Sequence, residues 1–150
     1  MGETGPWRWS NVPLPEPHLG GLGTGLLLHV FVSRPLFPAL WPGHVAGWPL
    51  VLAGLSLAAW AAWAVTNVDM AEPNRIIVQG PYAFSRNPMY LAWSLIYLGI
   101  AFIVNSAWPL ALLPVVLLLT HFAVLHEERY LEGRFGAEYR HYKSSVRRYL

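Results

Sequence analysis

Two polar stretches carry most of the groups that could do chemistry in an otherwise apolar chain. The first is Gly80-Pro81-Tyr82-Ala83-Phe84-Ser85-Arg86-Asn87-Pro88-Met89-Tyr90; the second is His121 with His126-Glu127-Glu128-Arg129. Between them they offer a guanidinium, two carboxylates, an imidazole, an amide and phenols, a set suited to holding a charged small molecule. No cysteine is present, which excludes disulfides and thiol chemistry, and no metal site is expected. Each piece also has an ordinary reading. Gly-Pro-Tyr is a common turn, Arg86 can reach out to lipid phosphates, and Glu127 and Glu128 can end a helix in water. The helical wheel separates the two glutamates. On an unbroken helix, Glu128 falls about 20° from the centre of the stripe Leu131, Phe135, Tyr139, Tyr142, Val146, and Glu127 about 80° away, at about 100° per residue. His121, seven residues before Glu128, shares its side. A carboxylate and an imidazole facing inward need polar partners, which favours a site.

The elements that must position these groups follow from charge. Apolar residues make up 55% of the 150 and charged ones only 12%, against about 25% in soluble domains. No charge lies between Arg34 and Asp69 or between Arg86 and Glu127. The second gap is 40 residues long, room for two crossings at about 20 residues each. The N-terminal Met1 to Pro17 is polar and proline-rich and lacks a signal-peptide pattern. The first apolar helix is expected to serve as the insertion signal.

Four crossings are expected, over residues 19–37, 45–65, 88–104 and 107–125, followed by a cytoplasmic amphipathic helix over 126–142. Gly20, Gly21, Gly23 and Gly25 in the first span, and Gly47 and Gly54 in the second, permit close helix packing. Asn87 is a candidate N-cap with Pro88 at the first helical position. Asn105-Ser106 reads as a tight turn that returns helix four beside helix three, so the two polar stretches meet at one membrane face. Pro114 predicts a kink, and Gly133 or Gly136 a bend. Trp41, Trp48, Trp93 and Trp108 fall near helix ends, where amphipathic rings favour the interface. With four crossings, nine of the ten Lys and Arg share one side and only Arg34 lies opposite. The excess of basic residues then puts both termini in the cytoplasm. Six of the nine follow Leu125, and that basic tail is expected to face anionic lipid rather than nucleic acid.

From Gly80 to Leu150 the chain resembles the isoprenylcysteine carboxyl methyltransferase family. The resemblance rests on Gly80-Pro81-Tyr82, Arg86-Asn87-Pro88-Met89-Tyr90, a helical hairpin, Glu127-Glu128, and Phe135-Gly136-Ala137-Glu138-Tyr139-Arg140-His141-Tyr142. Asn87-Pro88-Met89-Tyr90 with Tyr97-Leu98-Gly99 is also similar to the phospholipid N-methyltransferases. Asn87 stands where the first family has histidine and the second asparagine, which loosens the choice of acceptor but not of cofactor.

The resemblance implies S-adenosylmethionine as methyl donor and a lipidic or amphipathic acceptor presenting a carboxylate, amine or thiol. It makes Arg86 and Glu128 the expected catalytic pair. It makes Tyr82, Arg86, Asn87, Tyr90, His121, Glu127 and Glu128 the expected cofactor-binding residues. Arg86 would clamp the cofactor carboxylate, and a glutamate would accept from its ammonium, the wheel ranking Glu128 above Glu127. Tyr82 and Tyr90 would pack against adenine or sulfonium, with Asn87 and His121 adding hydrogen bonds. The chain is therefore expected to be a single all-α domain over 1–150, an integral membrane bundle of four transmembrane helices with a C-terminal amphipathic helix, sited in the plasma (inner) membrane. Its expected partners are the bilayer and the acceptor, without nucleic acid. The rival readings are a non-catalytic membrane scaffold and a steroid-reductase-like NADPH-dependent membrane reductase.

Overall fold

The computed structural model describes residues 15–66, 68 and 73–150. The N-terminal polar stretch to Leu14, and Asp69 and Glu72 of the middle connection, lie outside the described residues. Among the described residues there are five α-helices and no strand: α1 (Glu16–Phe31), α2 (Leu40–Ala64), α3 (Pro88–Ile103), α4 (Ala107–Phe135) and α5 (Ala137–Ser145), with a 3₁₀ turn at Gly80–Ala83. The all-helical expectation holds, and several boundaries move. The first helix stops at Phe31, before Pro35 and Pro38, whose missing N–H groups keep the chain from resuming. The expected boundary between a fourth crossing and an amphipathic helix at His126 does not appear. The His126-Glu127-Glu128-Arg129 stretch contains no breaker, so α4 runs unbroken through Pro114 to Phe135. The chain turns instead at Gly136, whose φ of +55° is left-handed and open to glycine; Gly133 stays within the helix.

The helices pair differently from the sequence expectation. The Asn105 turn reverses the chain, yet α4 lies along α1 while α3 lies along α2, and α3 and α4 meet only sparsely. Glycine explains both pairings. A Cβ on Gly47 would stand 2.6 Å from the Gly99 carbonyl oxygen, and one on Gly99 would stand 2.7 Å from that of Gly47. The two backbones therefore approach as only glycine permits. Gly25 seats in the same way on Pro109 of α4, 2.8 Å from its nitrogen. At the far end from the polar stretches, Asn105 fastens the two turns together. Its Oδ1 accepts from Leu36 N at 3.0 Å and Phe37 N at 2.8 Å, and its Nδ2 donates to Phe37 O at 2.9 Å.

α2 and α4 are long and apolar enough to cross a membrane; α3 is apolar but shorter, at 16 residues. Much of the apolar surface faces outward: Phe31 is 77% exposed, Trp41 69% and Trp63 78%. That surface suits lipid, where apolar exposure carries no penalty. Trp41 and Trp48 are exposed near the start of α2. Trp93 departs from the interfacial expectation, because its ring packs against Ala61, Ala62 and Met89. Trp108 donates from Nε1 to Val32 O at 2.6 Å, which closes α4 onto the end of α1.

Candidate active site

The two polar stretches meet around Glu128. This residue is 4% exposed on the inward side of α4. Its Oε1 lies 3.0 Å from Nη1 of Arg86, which projects from the segment just ahead of α3. A second arginine approaches from the tail. Arg148 donates from Nε to Oε1 and from Nη2 to Oε2, both at 3.0 Å. The tail is held there by backbone pairing. Arg86 N donates to Arg147 O at 2.9 Å, and Asn87 Nδ2 donates to Arg148 O at 3.0 Å. Two guanidiniums thus share one carboxylate. Arg148 takes the aligned bidentate geometry that makes such pairs strong. The Arg86 side chain is only 8% exposed and shares a hydrogen bond with Tyr139; among the described residues its Nε and Nη1 find no aligned acceptor.

Arg86 borders a cavity of about 90 Å³ lined also by Tyr82, Glu127, Tyr130, Tyr139 and Tyr142. The Gly80–Ala83 turn, where Gly80 adopts φ +61°, presents Tyr82 to it. Tyr142 Oη donates to Tyr82 O at 2.7 Å, locking α5 against that turn. Burial pushes the Tyr82 and Tyr142 phenols well above their usual range and Tyr139 up to about 12. All three stay neutral at physiological pH and act as aromatic walls and hydrogen-bonding groups. Glu127, one position round the helix from Glu128, points into this cavity and accepts a hydrogen bond from Tyr90. The cavity is narrower than the roughly 300 Å³ lower end for drug-sized ligand sites. Two of its lining residues, Val68 and Pro73, flank the 69–72 segment.

A second cavity, about 540 Å³, occupies the gap left by the sparse α3–α4 contact. Leu91 and Ser94 of α3 face Pro114, Leu117, Leu118, Thr120 and His121 of α4, with Tyr90 and Tyr149 at its polar end. His121 Nδ1 lies 2.9 Å from Tyr149 Oη. Among the described residues, the buried Thr120 hydroxyl has no hydrogen-bond partner. The Tyr90–Glu127 hydrogen bond links the two cavities, since Tyr90 lines one and Glu127 the other.

Tyr82, Arg86 and Glu127 are therefore brought together, and Tyr90 joins them through its hydrogen bond. His121 belongs to the second cavity. Asn87 sits at the N-cap position of α3 but makes no side-chain capping bond; its amide is spent on the tail. Glu128 is buried on the inward side of α4, and both of its oxygens are held by Arg148. Of the basic tail, Arg129, Arg134, Arg140 and Arg147 are exposed. Arg148 turns inward, and Lys143 and Arg140 pair with Glu132 at 2.9 and 3.9 Å. Sequence reasoning missed Arg148 and Tyr149 as site residues. No local spacing links position 148 to 128, and the one available signal was that a buried glutamate demands a cation.

The fit to S-adenosylmethionine rests on donor chemistry. A buried guanidinium with unmatched N–H groups suits a carboxylate, Glu127 suits an ammonium, and the tyrosine walls suit an adenine or sulfonium. The chain matches the phospholipid methyltransferase family model over residues 42–138. It is also 45% identical over 60 residues to an uncharacterised protein of Haemophilus influenzae, a stretch covering 40% of this chain and 86% of that relative. No solved structure matches it. Residues 42–138 span the second apolar helix, the polar connection, the α3–α4 hairpin and both glutamates, and the chain belongs to the phospholipid methyltransferase family, a group of membrane methyltransferases.

Proposed function

We propose that this chain is an S-adenosylmethionine-dependent methyltransferase, related in type to the isoprenylcysteine carboxyl methyltransferases, acting on a lipidic or amphipathic acceptor. The observation that carries the reading is Arg86: a buried guanidinium held by Glu128 at one nitrogen only and incompletely matched among the described residues, on the wall of a cavity that also presents Glu127. Arg86 would hold the cofactor carboxylate and Glu127 its ammonium. Tyr82, Tyr139 and Tyr142 would enclose the remainder and exclude water. S-adenosylmethionine supplies a methyl group already activated on a sulfonium, so the protein's task is alignment and desolvation rather than strong acid–base work. The α3–α4 cavity, lined largely by apolar side chains, would receive the acceptor from the bilayer, with Tyr90 at its junction with the cofactor site.

The same reading treats residues 1–150 as one domain with four crossings, α1 and α3 spanning alongside α2 and α4, and both termini in the cytoplasm of an inner-membrane protein. Calorimetric titration of the detergent-solubilised protein with S-adenosylhomocysteine tests the cofactor assignment. Saturable binding at a stoichiometry of about one supports it, and no binding at millimolar ligand rejects it.

A further inference from the structure

Around Glu128 the charges do not balance. Arg86 and Arg148 bring two cations to one buried anion, and Glu127, the next carboxylate, is turned into the cavity and bonded to Tyr90. The two arginines are not equivalent. Arg148 engages both oxygens in line, whereas Arg86 Nη1 sits at the same 3.0 Å without alignment, and its Nε is also unmatched. Arg86 is the more buried, with an 8% exposed side chain against 33% for Arg148. A buried cation without a full partner is costly. Here it is tolerated beside the cavity that Arg86 lines.

We infer that Arg148 is a positioning residue for cofactor binding: by holding both oxygens of Glu128 from the tail, it limits Arg86 to a single Nη1–Oε1 pair and leaves the rest of the Arg86 fork for a ligand carboxylate. Without Arg148, both Glu128 oxygens become available and Arg86 is the nearest cation; the bidentate pair would then form between those two residues, and the ligand would have to break it. The tail carries this function because its backbone is fixed to the Arg86 segment. The Ser85–Arg147 bridge and the bond from Arg86 N to Arg147 O set the two arginines on either side of the same carboxylate.

The inference rests on the proposed cofactor reading, and the test keeps the two apart. Two probes are titrated: S-adenosylhomocysteine, which carries the carboxylate, and 5′-methylthioadenosine, which lacks the amino-acid portion. Arg148→Gln is expected to weaken S-adenosylhomocysteine at least tenfold while leaving methylthioadenosine within about twofold. Glu128→Gln combined with Arg148→Gln removes the competitor and is expected to restore S-adenosylhomocysteine to within threefold of the wild type, or to tighten it. A merely structural Arg148 would weaken both probes together and would not be rescued by the second substitution. Equal losses for both probes, an unrescued double variant, or an unaffected Arg148→Gln would each overturn the role of Arg148. Absence of S-adenosylhomocysteine binding to the wild type would overturn the cofactor reading, and this inference with it.

Discussion

The Tyr149 hydroxyl lies 2.9 Å from Nδ1 of His121, so a tail residue is fastened to α4 at the polar end of the α3–α4 cavity. This bond and the grip of Arg148 on Glu128 pin the tail at adjacent positions. Tyr149→Phe keeps the ring in the cavity wall and removes only the hydroxyl. The expected loss of stability is about 0.5–1.5 kcal/mol, the usual net worth of one such bond. S-adenosylhomocysteine affinity should not change, because neither residue borders the Arg86 cavity. Denaturation in a fixed detergent, read beside a ligand titration, checks both parts.

Arg86→Lys keeps the positive charge near Glu128 but replaces a planar fork with a point charge. If Arg86 merely anchored to lipid, the change would be neutral. As a carboxylate clamp it should cost about 1–3 kcal/mol of cofactor affinity, the loss of one charge-assisted interaction. Titration with S-adenosylhomocysteine decides it, and an unchanged affinity rejects the clamp.

The adjacent glutamates should fail in different ways. Glu127→Gln removes a carboxylate from the cavity and should weaken cofactor binding by about 2–5 kcal/mol, the cost of truncating one partner of a buried charge pair. Glu128→Gln leaves Arg86 and Arg148 without their shared anion and should lower folding stability by about 3–5 kcal/mol. The protein that still folds should bind S-adenosylhomocysteine as well as the wild type does. Paired measurements of melting and affinity separate the two. A larger affinity loss at Glu128 would return the ammonium to that residue.

Much of this arrangement was legible in the sequence, and the exceptions have a common physical origin. Charge-free runs marked the apolar helices, and Asn105-Ser106 marked the turn between α3 and α4, where Asn105 takes φ +56°. The wheel placed Glu128 inward because α4 is continuous and periodicity survives along it. What could not be read were contacts between residues far apart in the chain with no repeating pattern: Arg148 on Glu128, Asn87 on the tail, and the preference of α4 for α1. Glycines 21 and 25 hinted at close packing but not at which helix would be approached. The partner is settled by which surface, here Val116 and Pro109, fits against the bare backbone.

The α2–α3 seam offers a direct test of that packing. A side chain at Gly47 would meet the Gly99 carbonyl oxygen and Ile103 Cγ1, both at 2.6 Å. Neither atom is the free end of a flexible group, so the helices must part. Gly47→Val should cost about 1–3 kcal/mol by overpacking, whereas Gly20→Ala, with open space around it, should be close to neutral. Thermal melts of the two variants in the same detergent provide the comparison.

The four-crossing arrangement predicts where introduced thiols can be labelled. Asn105, at the turn between α3 and α4, is unsuitable as a probe because its side chain holds Leu36 and Phe37 and is itself buried. Ser33 and Ser144 are exposed and lie at opposite ends of the bundle: Ser33 follows α1 beside the Asn105 turn, and Ser144 lies in the last turn of α5 near the Glu128 cluster. The chain has no native cysteine to interfere. Nine of ten basic residues fall on the Ser144 side by the four-crossing count, which assigns that side to the cytoplasm. In intact cells, Ser33→Cys should therefore react with a membrane-impermeant maleimide and Ser144→Cys should not. After permeabilisation both should react. The outcome depends on α1 and α3, each 16 residues, or about 24 Å at 1.5 Å per residue, against a hydrocarbon core of about 30 Å. They span only if flanking residues extend them or the bilayer thins locally. Protection of both thiols in intact cells would overturn the four-crossing arrangement.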